Sequence, residues 1–341
     1  MSKMWYMQNG KEGDIVLSTR VRLARNLSDF PFPGNLTPEK QREVVDVVAS
    51  AMASSDVGND FKLIDMTTLT ELERLQLVEK HLISRDLATG DGVRAVLLST
   101  DESVSIMINE EDHLRIQVLG TGLCLDDCLK KAMRIDDALD RTLKYAFDEK
   151  LGYLTKCPTN LGTGMRASAM LHLPALTQGN AIRELSASVG KLGFVIRGLY
   201  GEGSVAKGAL YQISNQLTLG FDEETIVKRL SDVVEQMIEH ERNYREQARK
   251  SGKLWLEDKI WRSAGILTYA RSISTDEAMQ LLSDLRLGAS LGIIDTDIDK
   301  LNSLLWEIQP ANLIKNSGKE KLTPEQRDIR RAEILRDIMK K

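Results

Sequence analysis

Five arginines of this chain sit at strand ends or in glycine-rich loops: Arg20, Arg22, Arg115, Arg166 and Arg197. That is a concentrated cationic set for a protein of net charge −4. A guanidinium is planar, always charged and shaped for two parallel bonds to phosphate oxygens. Gathered around one ligand, such groups could hold a nucleoside triphosphate without a P-loop. They would also neutralise the equatorial oxygens of a transferring phosphoryl group, where most of the rate gain in phosphoryl transfer arises. The acids Glu111 and Glu202 would then suit a cationic acceptor. Spacing alone does not bring these groups together.

The densest stretch is Asn109-Glu110-Glu111-Asp112-His113-Leu114-Arg115. Three acids, a histidine and an arginine follow Val104–Ile108, which reads as a strand. Buried unpaired charge is costly, so a cluster at a strand end needs partners. The second dense stretch is Lys156-Cys157-Pro158-Thr159-Asn160-Leu161-Gly162-Thr163-Gly164-Met165-Arg166. It reads as a loop by turn chemistry, with glycines that let backbone approach a ligand. No Gly-Lys-Ser/Thr follows, so it is not a Walker A loop.

The elements that must position these residues follow from periodicity. Residues 14–25 alternate as a strand, which puts Arg20 and Arg22 on one face. A solvated strand face would explain that pair equally. Thr37 and Pro38 start a helix to about Ser54. A short strand follows at 61–66, and a helix at 69–82 with His81 near its end, where a histidine usually satisfies the helix dipole at the surface. Residues 94–98 and 104–108 form a hairpin, and 115–119 another strand. Residues 125–149 read as one helix. Cys124 and Cys128 lack a second ligand pair, so they are core or surface thiols rather than a zinc site. Residues 167–176 read as an apolar helix, 181–192 as another, 194–203 as a buried strand running into a glycine-rich loop, and 209–215 as a strand. A long amphipathic helix covers 222–249, and helices with apolar stripes fill 254–309. Thr323-Pro324-Glu325-Gln326 is a capping box opening a helix over 325–341. On it, Arg327 and Arg331 lie one turn apart, as on any charged surface helix.

The length of 341 residues suits two domains, and 42% hydrophobic residues suffice for a substantial core. Without an apolar run near 18 residues or a signal-peptide core, and with three cysteines, a reducing cytoplasm is expected. The charge balance and the lack of a basic stripe with stacking aromatics argue against nucleic-acid binding.

Four segments resemble the signatures of the phosphagen kinases, in that family's order. They are Ser18-Thr19-Arg20-Val21-Arg22, the Asn109–Arg115 stretch, the Cys157–Arg166 stretch and Arg197-Gly198-Leu199-Tyr200-Gly201-Glu202. Those kinases carry a helical domain ahead of the first segment. Here 17 residues precede it, so an open acceptor side is expected. The C-terminal part ends in Arg327-Asp328-Ile329-Arg330-Arg331-Ala332. Both departures resemble the bacterial protein arginine kinases of the McsB type, a resemblance that covers essentially the full length, including Lys80-His81-Leu82-Ile83-Ser84.

The resemblance implies an α+β fold. An antiparallel sheet flanked by helices would occupy residues 1–245, with an all-helical C-terminal domain over 246–341. It implies ATP bound by Arg20, Arg22, Arg115, Arg166 and Arg197. Loops 18–22 (Ser18, Thr19, Val21), 166–170 (Ala167, Ser168, Ala169, Met170) and 197–202 (Gly198, Leu199, Tyr200, Gly201, Glu202) would line the nucleotide. His81 becomes a nucleotide contact rather than a surface residue. Glu111 would be the catalytic base, with Glu110 a competing candidate, Glu202 the second carboxylate, and Cys157 close to the acceptor guanidinium. Mg2+ would be carried by the ATP phosphates and water, with no protein cage. Arg327, Asp328, Arg331 and Ala332 would form an allosteric phosphoarginine site. Implied partners are proteins with accessible arginine, among them a heat-shock repressor and unfolded proteins, together with a zinc-binding activator, a Clp unfoldase/protease and a second copy in a homodimer. No membrane or direct nucleic-acid contact is implied. The alternatives are a kinase of free arginine or another small guanidino compound, and a catalytically inactive phosphoarginine-binding adaptor.

Overall fold

The computed structural model describes residues 8–198 and 207–339. The alternating segment forms β1 (Val16–Arg25). The Thr37 side chain accepts the Lys40 amide and starts α1 (Pro38–Ala53). After β2 (Phe61–Asp65), a reciprocal capping box between Thr70 and Glu73 opens α2 (Glu71–Glu79), and Ser84 caps α3 (Arg85–Thr89). The helix expected to reach Leu82 stops earlier because His81 turns into the left-handed region, φ 58°.

The hairpin is present as β3 (Ala95–Ser99) and β4 (Val104–Ile108), followed by β5 (Leu114–Thr121) and α4 (Leu125–Asp140). The single helix expected over 125–149 ends at Asp140. Beyond it the chain turns back onto the end of β1: the Ser28 amide donates to the Lys144 carbonyl at 2.9 Å and the Ala146 amide to the Asn26 carbonyl at 2.7 Å. Long-range pairing therefore outcompetes helix extension. A small hairpin follows, β6 (Phe147–Asp148) and β7 (Gly152–Tyr153).

The apolar helix expected over 167–176 is instead a strand, β8 (Met165–His172). Met165, Ala167, Ala169 and Leu171 fill the core side, while Arg166, Ser168 and Met170 alternate to the other face. Alanine and methionine favour a helix in isolation, but β1 and β10 bond this segment on both sides. Next come α5 (Pro174–Gln178), α6 (Ile182–Lys191), β9 (Phe194–Gly198) and β10 (Leu210–Asn215). The rest is helical: α7 (Glu223–Ser251), α8 (Lys253–Tyr269), α9 (Thr275–Ser290), α10 (Ile298–Glu307), α11 (Pro310–Asn316) and α12 (Pro324–Met339). α7 spans residue 245, and Gly252 separates it from α8.

Eight strands make one antiparallel sheet in the order β2-β3-β4-β5-β1-β8-β10-β9. One face packs on α4 and α7 through the largest core, which includes Val21, Leu23, Ile116, Ala167 and Ile213. The other face is covered in two places. A cluster of Leu82, Ile83, Leu87, Val96 and Met107 covers the β3–β4 side beneath α2 and α3. The C-terminal helices, with Leu267, Leu282, Leu304 and Leu335, pack against Leu210, Leu17 and Met170 on the β8–β10 side. The middle of that face is left open, and it carries the arginines. Among the described residues no helix is long and apolar enough to cross a membrane.

Two buried networks fix this arrangement. Arg25 on β1 bonds Asp136 of α4 at 2.6 Å, donates to the Thr163 carbonyl and stacks 3.4 Å from the Tyr153 ring. Glu241 of α7 accepts the first amides of α5 and pairs with Arg245 at 2.8 Å. From α9, Arg286 donates to the Gly13 carbonyl and so ties the C-terminal helices to the residues before β1.

Candidate active site

Strand alternation determines which of the expected residues face the opening. Arg20 and Arg22 leave β1 on the open side, opposite Ser168 and Arg166 of β8. On the other flank of β1, Arg22 pairs in register with Gln117 and Arg20 with Leu119 of β5. Arg115 lies two residues before Gln117 and so shares its face. Arg197, next to the end of β9, pairs with Gln212 of β10, and Gln212 accepts from Arg20 Nη2 at 2.9 Å.

The guanidiniums lie close enough to repel one another. Burial, then Arg115 and Arg166, push Arg20 down to about 10. Burial, then Arg20, Arg115 and Arg166, push Arg22 well below the usual arginine range. Arg166 is lowered by burial and by Arg197. Arginine does not deprotonate under these conditions, so the shifts record the cost of burying these cations together, desolvation first and mutual repulsion second. The buried Nε atoms of Arg22 and Arg166 have no hydrogen-bond partner. Orphaned donors amid excess positive charge fit a polyanion.

The acidic stretch divides by role. Glu110 and Glu111 share Arg115: Glu110 Oε2 is 2.7 Å from Nη1 and Glu111 Oε2 is 3.0 Å from Nη2. The Glu110 side chain is only 2% exposed and also accepts from Ser84 Oγ at 2.9 Å. Its burial raises its pKa despite Arg115. The Glu111 side chain is 36% exposed. Asp112 is structural, accepting from Asn26 Nδ2 and the Lys156 amide. His113 Nδ1 accepts the Leu27 amide while Nε2 donates to the Pro31 carbonyl, which fixes a neutral tautomer. Its pKa falls to about 4, through burial.

Cys157 heads a short turn with Sγ 3.0 Å from Thr159 Oγ1, and both Cys157 and Glu111 lie within electrostatic reach of Arg166. His81 lines a cavity of about 760 Å³ together with Ser18, Arg20, Ser168, Met170 and Gln212. The Gln117 side chain donates to the His81 carbonyl at 2.8 Å, and the ring meets Trp306 edge-on at 4.9 Å. Burial, then Arg20, lower its pKa to about 4.

Several expectations need correction. Segments 18–22 and 166–170 are central strands, not loops, so only alternate side chains reach the open face. Val21, Ala167 and Ala169 lie in the core, and Thr19 points to α4, 3.0 Å from Cys124 Sγ. Leu199, Tyr200, Gly201 and Glu202 lie outside the described residues, beyond Gly198. In α12, Arg331 is 1% exposed and donates to the carbonyls of Ile308 and Ile273 and to Asp328. Ala332 is buried beside it, whereas Arg327 is half-buried. The sequence reading missed Gln212, Ser84 and Trp306. Gln212 carries a usable signal, a polar residue at an alternate position of the apolar run Leu210-Tyr211-Gln212-Ile213. Trp306 carries none, because in an apolar helical stripe it reads as core.

Residues 43–244 match the family described as ATP:guanido phosphotransferase, C-terminal catalytic domain, and residues 253–341 match the protein-arginine kinase McsB C-terminal domain. The protein-arginine kinase of Caldanaerobacter subterraneus subsp. tengcongensis is 48% identical over 324 residues, 94% of this chain and 96% of the relative. That of Moorella thermoacetica is 48% identical over 98% of this chain and 97% of its own. Among solved structures, lombricine kinase superposes with a TM-score of 0.61 at 26% identity, covering 72% of this chain and 69% of that one. The duplicated taurocyamine kinase of Schistosoma mansoni with bound transition-state-analogue components gives 0.64 at 25% identity, over 82% of this chain and 40% of its own.

Proposed function

This chain belongs to the ATP:guanido phosphotransferases, within the protein-arginine kinases, and from that premise we propose that it moves the γ-phosphoryl group of ATP onto arginine side chains of proteins. The observation that carries the reading is the mutual proximity of Arg20, Arg22, Arg115 and Arg166 on one open sheet face, with orphaned donors and a half-exposed carboxylate beside them.

The arginines bind the triphosphate and neutralise charge on the transferring group. A guanidinium nitrogen of the acceptor attacks phosphorus, the N–P bond forms, and the bond to the ADP oxygen breaks. Glu111 orients the acceptor and takes the proton that its nitrogen loses. Free guanidinium is a poor nucleophile because its pKa lies above 12, so alignment by a carboxylate matters more here than for a hydroxyl acceptor. Glu111 suits this role better than Glu110, whose oxygens are engaged by Arg115 and Ser84. Cys157 and Glu202 are assigned to the acceptor side by resemblance. The phosphate-facing groups are guanidiniums, which repel a free cation but hold the oxygens that carry one. Mg2+ would be held by the nucleotide's own oxygens, where it would supply further charge neutralisation.

The wider role rests on the resemblance alone. It comprises marking of proteins for a Clp protease, inactivation of a heat-shock repressor in the stress response, a zinc-binding activator, a homodimer, and a cytoplasmic setting with allosteric control by phosphoarginine through Arg327 and its neighbours. Transfer of label from γ-labelled ATP to a casein-like protein, compared with transfer to free arginine, tests the central claim. Labelling of protein arginine is expected, and labelling of free arginine alone would sink it in favour of a small-guanidino kinase.

A further inference from the structure

The cavity that begins at Arg20 has two walls of different origin. One comes from the sheet face and the turn after α2, with Leu119, Met170 and His81; the other comes from the helical domain, with Met279, Leu305 and Trp306. Arg20 lines the cavity, while Arg22, Arg115 and Arg166 lie outside it. A triphosphate held by those three with its nucleoside beyond Arg20 would place the base between the walls. The space is large enough for a nucleoside and lined mainly by apolar and aromatic groups, as ligand pockets are.

Resting on the kinase reading above, we propose that Trp306 is a nucleotide-binding residue. The C-terminal helical domain then supplies the second wall of the base pocket, and bound nucleotide holds the two domains together. The residues assigned by resemblance to the nucleotide all lie before 203, so this wall is additional to them.

The wall is built to keep its position. Glu79, two residues before His81, accepts the amides of Ala311 and Asn312 at 2.8 and 3.0 Å. Gln76 of the same helix reaches Asn312 Oδ1 at 3.3 Å. From the far side Arg331 Nε donates to the Ile308 carbonyl at 3.0 Å. The segment from Trp306 to Asn312 is thus tethered both to the helix that ends beside His81 and to α12. Trp306 meets His81 edge-on, and the neutral imidazole presents no charge to a base lying against the pair.

The test uses the full chain with Trp306→Ala and Trp306→Phe. Trp306→Ala should raise KM for ATP about tenfold, the size of one base–aromatic contact, with kcat near wild type. Inhibition by inorganic tripolyphosphate, which has no base, should not change. Trp306→Phe should keep most of the affinity but lose the ADP-dependent quench of tryptophan emission, a readout that survives if the alanine variant fails to fold. Overturning results are an unchanged KM in Trp306→Ala, an equal loss for ATP and tripolyphosphate, or a quench that persists in Trp306→Phe. A wild-type chain that transfers no phosphate from ATP to protein removes the kinase reading and this inference together, whereas the other failures remove this inference alone.

Discussion

Arg22 and Arg166 stand directly opposite one another across β1 and β8, two cations at one paired position of the sheet. Opposed like charges destabilise a sheet, and here burial sharpens the repulsion. A site that stores repulsion in this way is relieved by an anion. The Arg22→Met protein should therefore melt higher than wild type without ligand, by about 2 °C for roughly 1 kcal/mol. It should also lose most of the stabilisation that ATP or tripolyphosphate gives wild type, and kcat/KM should fall at least about a hundredfold. Thermal melts with and without nucleotide check both signs, and a lower ligand-free melting temperature would count against stored repulsion.

The division of labour between Glu110 and Glu111 predicts two distinct phenotypes. Glu111→Gln keeps a hydrogen-bonding group but cannot accept the proton, so kcat should fall about 10²- to 10⁴-fold with KM for ATP little changed. Glu110→Gln releases Arg115 from its closest partner, 2.7 Å away, and should act mainly on ATP affinity and stability. Steady-state kinetics of the two variants decide the matter. Interchanged phenotypes would move the proton-accepting role to Glu110.

How far the sequence revealed this site depends on how local each cause is. β1 and the β3–β4 hairpin were legible because alternation is a short-range signal, and α1 because Thr37 and Pro38 announce its start. β8 was not legible: Ala167, Ala169 and Met170 suit a helix locally, and only the two flanking strands decide against it. The same limitation hid the directions of Ala167 and Ala169, since a helical reading spaces its faces differently from a strand, whereas Thr19 and Val21 already alternate away from Arg20 and Arg22 and were counted with the nucleotide only through the resemblance. Arg25 gave no sign of being fully buried, because its partner Asp136 lies 111 residues away. The arginine cluster drew attention by type, but its members come from four strands, and strand order is not written in any one of them.

Three buried histidines contribute acid sensitivity to this fold. His81 and His113 are held down to about 4, and His172 well below its usual value, in each case chiefly by burial. Between about pH 6.5 and 4 the unfolded chain binds protons that the folded chain refuses, so stability is lost as pH falls through that window. For the fully buried His113 the drop from 6.5 to about 4 corresponds to at most about 3 kcal/mol. The buried carboxyls Glu79, Glu110, Asp136 and Glu241, shifted up by burial, act in the opposite direction, so the histidine share is read as the difference between wild type and a His113 variant in denaturant midpoints from pH 7 to pH 5. His113→Asn, which cannot hold both the Leu27 and Pro31 bonds, should be weaker at pH 7 but decline less. Parallel curves for the two proteins would contradict this assignment.

Arg331 and Arg327 share a motif but not an environment. Arg331 serves the carbonyls of Ile308 and Ile273 from within the helical core. Removing it leaves buried acceptors unsatisfied, at about 1–3 kcal/mol for each group. Arg331→Ala should therefore lower the melting temperature and, through the segment that carries Trp306, weaken ATP binding as well. This departs from the simpler expectation that a regulatory arginine can be changed while sparing the nucleotide site. Arg327 is half-buried, and the carboxylate it influences is Glu79. Arg327→Ala should leave the melting temperature within about 1 °C of wild type and reduce only the response of activity to added phosphoarginine. Melting curves and phosphoarginine titrations of both variants separate the two roles. A phosphoarginine response that survives Arg327→Ala would exclude that side chain from the effector site.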